Sequence, residues 1–70
     1  MPALLKRSFS LSGHRTSVAL EPEFWSALEA EAARSGQRLV VLVAEIDAAR
    51  APDRTLASAL RVHALLRRGG

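Results

Sequence analysis

The chain has 70 residues, 49% of them apolar and 24% charged, which excludes a disordered tail and describes one small globular domain. It has no cysteine, so disulfides and cysteine-ligated zinc or iron–sulfur centres are excluded. No run approaches the roughly 18–20 apolar residues of a membrane span, and the apolar stretch near Met1 is too short for a signal peptide.

The net charge of +3 is unevenly spread. Residues 1–20 carry Lys6, Arg7 and Arg15 and no acid, residues 54–70 carry four arginines and no acid, and all the carboxylates lie between. Basic ends around an acidic middle suit a protein that turns one face to a polyanion; ordinary solvated surface charge is the competing reading. A domain of this length removes only about 60% of its chain's surface from water, so a second copy is the expected source of further burial.

In chain order, residues 1–6 read as a flexible arm and 7–68 as the folded domain. From Arg7, polar and apolar residues alternate, the mark of a strand with one buried face. The strand is placed at Arg15–Leu20, with Thr16, Val18 and Leu20 on one face and Arg15, Ser17 and Ala19 on the other. Gly13-His14 is either a hairpin turn or a kink, which leaves open whether residues 7–12 form a strand of their own. Glu21-Pro22 ends the strand and starts a helix, because proline suits the first helical turn. Over residues 23–35, Phe24, Trp25, Leu28 and Ala32 form one apolar stripe, and Gly36 supplies a left-handed cap. The Trp25 ring reads as core rather than as a stacking platform.

The run Leu39–Ile46 reads as either a buried strand or a helix. As a helix it carries a stripe of Leu39, Leu42, Val43, Ile46 and Ala49, and it turns Val40 and Val41 away, where a second copy would bury them. Pro52 ends this element, Asp53 or Thr55 caps the next, and Leu56, Ala59, Leu60, Val62 and Leu66 share a face within Leu56–Arg68. His63 falls on that apolar face, as a packed or interface histidine. No internal repeat or low-complexity tract stands out. No nucleophile–base pair, glycine-rich phosphate loop or metal-ligand spacing is recognisable, so neither an enzyme nor a cofactor is expected.

A polar-faced strand, a tight turn into a helix, a glycine and a second helix resemble the layout of the ribbon-helix-helix repressors. The chain is most similar to a family of small bacterial ribbon-helix-helix-domain proteins. The likeness rests on Gly13-His-Arg-Thr-Ser-Val-Ala-Leu-Glu-Pro-Glu-Phe-Trp25, Leu42-Val-Ala-Glu-Ile-Asp47 and Ser58-Ala-Leu-Arg-Val62. It implies a mainly α fold with a short β-ribbon and an added third helix. It further implies an intertwined homodimer, whose antiparallel ribbon pairs one strand from each copy and enters the major groove of double-stranded DNA. On that resemblance Arg15, Ser17 and Ala19 face the bases, while Lys6, Arg7, Gly36, Gln37 and Arg38 approach the backbone. Arg38 stands where the pattern has a capping hydroxyl. Val18, Leu20, Val40, Val41 and Val43 are expected in the core or dimer interface. The implied role is a cytoplasmic transcriptional regulator, nucleoid-associated when bound to DNA; the alternative is an adaptor or antitoxin-like module with a protein partner.

Overall fold

The computed structural model describes residues 3–67. In chain order it contains β1 (Leu5–Leu11), β2 (His14–Leu20), α1 (Pro22–Arg34), α2 (Leu39–Ala49) and α3 (Leu56–Arg67). Met1 and Pro2 of the expected arm, and Arg68 of the expected last helix, lie outside the described residues.

The N-terminal alternation produces two strands. They pair antiparallel in the register Leu5–Leu20, Arg7–Val18, Phe9–Thr16 and Leu11–His14 on one face. Between them Ser12 has φ 52° and Gly13 φ 81°. Two consecutive left-handed residues are what a two-residue type I′ turn requires, and such turns match the natural twist of a hairpin. One expected boundary is corrected. β1 begins at Leu5, so Leu5 and Lys6 are strand rather than arm. Within the chain the two strands close through this two-residue turn at little entropic cost, so residues 7–11 belong to a strand of their own.

Period-two alternation then sorts the hairpin's side chains. Phe9, Leu11, Val18 and Leu20 are buried, and they meet Trp25, Leu28 and Ala32 of α1, Leu42, Val43 and Ile46 of α2, and Leu56, Ala59, Leu60 and Ala64 of α3. Trp25 is the keystone: it is fully buried, its Nε1 donates to the Leu5 carbonyl at 2.8 Å, and its ring lies 5.9 Å from that of Phe9. Val18, Leu20 and Val43 therefore belong to the core of the single chain.

Pro22 opens α1 after an extended Glu21, as expected. The helix closes with Gly36 N–H donating to Ala33 O at 3.1 Å and Gln37 N–H to Ala32 O at 2.8 Å, a Schellman pair made possible by Gly36 at φ 68°. The ambiguous Leu39–Ile46 run is helical, since Leu42, Val43 and Ile46 are buried at helical spacing; Ala49, placed on that stripe by sequence, is exposed. In α3, Thr55 Oγ1 accepts from Ser58 N–H at 3.1 Å as the cap. The buried stripe is Leu56, Ala59, Leu60 and Ala64, whereas Val62 and Leu66 are exposed. At about 100° per residue, Val62 lies roughly 120° around the helix from Leu56, too far to share its face.

Polar ties hold the helical layer at two ends. Arg61 Nε donates to Glu21 Oε1 at 2.9 Å, linking the start of α1 to α3. That bond, with the carboxyl's own backbone N–H, holds Glu21 below the usual carboxylate range. Towards the other end of α1, His63 Nε2 lies 2.8 Å from Glu31 Oε2, so the histidine expected to pack is half-buried and hydrogen-bonded.

Candidate nucleic-acid interface

The hairpin's other face carries three cross-strand pairs, Lys6–Ala19, Ser8–Ser17 and Ser10–Arg15. Five of these six residues are exposed, and Ala19 is half-buried. No acidic residue stands on this face. Lys6 and Arg15 form no ion pair with the carboxylates of the described residues. The Ser8 and Ser17 hydroxyls are 2.9 Å apart at the middle of the face, and either can donate to the other. The result is a narrow, acid-free, two-stranded surface centred on hydroxyls with a cation towards each end. Its dimensions suit the major groove of B-DNA, which admits a two-stranded ribbon. The hydroxyls can donate or accept, and Arg15 can offer two parallel N–H groups to a guanine edge or a phosphate.

The face that sequence assigned to Arg15, Ser17 and Ala19 is the outward one. Sequence reading missed Ser8 and Ser10, and it placed Lys6 apart from the others; the signal was the continued alternation Lys6, Ser8, Ser10 in β1. Arg7, expected at the DNA backbone, lies on the opposite face of the hairpin from Lys6 and Ser8. It sits on the helix side, paired with Glu29 and with its guanidinium 5.0 Å from the centre of the Trp25 ring. Alternation leaves no other choice, because Arg7 lies between two outward residues.

Gly36, Gln37 and Arg38 form the turn into α2. Arg38 is the extended N-cap residue and makes no side-chain capping bond, while Gln37 Nε2 donates to Glu45 Oε2 at 2.9 Å. The Gln37 amide is thus engaged within the chain, and exposed Arg38 is the cation standing at the helix's N-terminus, where partial positive charge already accumulates.

A shallow groove lies beside α3, with Leu42, Ile46 and Ala59 among its walls and the His63–Glu31 pair at its edge. Among the described residues no group of three or more His, Asp or Glu side chains is placed to hold a metal ion. Nor is any described helix long and apolar enough to cross a membrane.

No curated protein and no solved structure matches the chain. A family model described as a ribbon-helix-helix domain matches residues 4–67, which takes in the hairpin and all three helices. The chain belongs to the ribbon-helix-helix domain family, whose members are generally DNA-binding transcription regulators.

Proposed function

We propose that this protein is a sequence-specific double-stranded DNA-binding regulator, acting as a repressor, that lays the outer face of its hairpin in the major groove. The observation that carries the reading is the acid-free face of Lys6, Ser8, Ser10, Arg15, Ser17 and Ala19 on a ribbon whose opposite face is fixed to a packed core. Arg15, Ser17 and Ala19 contact bases. Lys6 lies at the far end of the same face, and Gly36, Gln37 and Arg38 bring the α2 N-terminus to a phosphate. Selection from a random duplex pool at near-physiological salt tests this: an enriched motif is expected, with affinity falling steeply as salt rises. Absence of enrichment, together with affinity insensitive to salt, would transfer the function to a protein-interaction module.

The homodimer belongs to the same proposal, and the helices offer it a surface. Val41, Ala44 and Ala48 lie at helical spacing on the solvent side of α2, and Val41 is 41% exposed. With Leu42, Val43 and Ile46 buried on the other side, α2 is apolar nearly all round, and such a helix belongs in an interior. A second copy packed over Val40 and Val41 supplies that interior. Val41→Asp should leave the monomer folded and abolish the dimer in sedimentation; an unchanged dimer would move the interface elsewhere.

A further inference from the structure

The two strands of the hairpin are versions of one segment. With an offset of nine residues, Lys6-Arg-Ser-Phe-Ser-Leu11 aligns with Arg15-Thr-Ser-Val-Ala-Leu20. Each position keeps its character: a cation, a half-buried polar residue, serine, a buried apolar residue, a small residue, a buried leucine. The burial patterns of the strands agree at every position except Ser10 and Ala19.

The pairing register turns this repeat into a symmetry. Lys6 stands opposite Ala19, and their counterparts Arg15 and Ser10 stand opposite each other. Ser8 stands opposite Ser17, which is its own counterpart. A two-fold axis normal to the ribbon therefore passes between the Ser8 and Ser17 hydroxyls, and it exchanges Lys6 with Arg15 and Ser10 with Ala19. The hydrogen bond in which either serine can be the donor lies on that axis. An antiparallel ribbon of two identical strands has such an axis by construction. Here two different strands of one chain reproduce it.

The geometry points to a single chain carrying a complete, pseudo-two-fold reading head for a quasi-palindromic DNA block. This deepens the function proposed above and rests on it. Successive outward pairs are about 6.8 Å apart along a strand, close to two base-pair rises, so three pairs cover about five base pairs. The half of the block read by Arg15 faces a fork of parallel donors, which suits guanine O6 and N7. The half read by Lys6 faces a rotatable ammonium without the fork. The block is consequently self-complementary in outline and broken where Lys6 replaces arginine and Ser10 replaces alanine. Two chains joined through α2 would read two such blocks, each with its own imperfect axis.

The test is duplex selection with the wild-type chain and with Lys6→Arg/Ser10→Ala, which makes the outward residues of the two strands identical. Both positions are exposed, and matching thermal melts establish that the variant is folded. The expected result is an imperfect palindrome for the wild type, with the variant's motif moved to self-complementarity. A wild-type block that is already a perfect palindrome would overturn the proposal. So would an asymmetry that the double substitution leaves untouched, since β1 would then read no bases. No enrichment with either protein would overturn the DNA-binding reading itself, and the pseudo-symmetric head with it.

Discussion

Trp25→Ala is expected to remove a large part of the protein's stability and to lower its urea midpoint sharply. Replacing a buried tryptophan by alanine costs about 3–5 kcal/mol in transfer and cavity terms. At about 0.05–0.15 kcal/mol per residue, a domain of this length has a total stability of roughly 3.5–10 kcal/mol. The loss is concentrated where the hairpin meets the helices. Trp25 donates to the Leu5 carbonyl at 2.8 Å, its ring meets Phe9, and Arg7 stacks over it. Removing it therefore frees β1 from α1 as well as opening a cavity. Urea unfolding followed by circular dichroism is the suitable measurement, because the chain has one tryptophan and its fluorescence disappears with the substitution. Trp25→Phe, which keeps an aromatic ring but loses the N–H donor, should fall between wild type and Trp25→Ala. A wild-type midpoint for Trp25→Ala would mean that the hairpin does not depend on this contact.

Most of the helical layer was legible in the residues. The Phe24–Ala32 stripe, Pro22, Gly36 and Thr55 each signal a local event whose physics depends on neighbours in sequence, and the fold contains each event where it was read. The hairpin was harder. Gly13 marks a turn, but Ser12 is the second left-handed residue, and serine gives no such signal. The repeat was hidden because only Ser8/Ser17 and Leu11/Leu20 are identities among its six aligned pairs. Of the others, Lys6/Arg15 keeps charge, Ser10/Ala19 small size, Phe9/Val18 apolarity and Arg7/Thr16 only polarity, and they become recognisable only when the register shows which residues oppose each other. The surroundings of Arg7 were hidden for a related reason. A cation near basic neighbours reads as a surface charge, but strand parity turns it inward, where Glu29 and the Trp25 ring receive it. Val62 and Leu66 exceeded the stripe because an apolar residue can lie on an exposed helix face without announcing it.

Arg15→Ala should weaken binding to the selected duplex by roughly ten- to hundredfold, the loss expected when a bidentate guanine contact worth about 1–3 kcal/mol is removed. Binding to unrelated duplexes should change much less, since a single lost cation lowers the salt slope by about one at most. Arg15 is exposed, opposite Ser10, and outside every ion pair among the described residues, so the melting curve should stay at wild type. Arg15→Lys separates the two roles open to this side chain. Lysine keeps the charge but lacks the planar fork, so a base-reading arginine should be rescued only slightly, whereas a phosphate contact should be rescued almost fully. The same pair of substitutions also bears on the reading head as a whole. Lys6 holds the symmetry-related position, and its ammonium is what Arg15→Lys would create in the other half of the ribbon. The Arg15→Lys protein should accordingly lose guanine preference in the Arg15 half and select a block whose two ends are nearly alike, at lower affinity. Equal affinity of Arg15→Ala and wild type for the selected duplex would remove Arg15 from the bases, and with it the face on which the function proposed here depends.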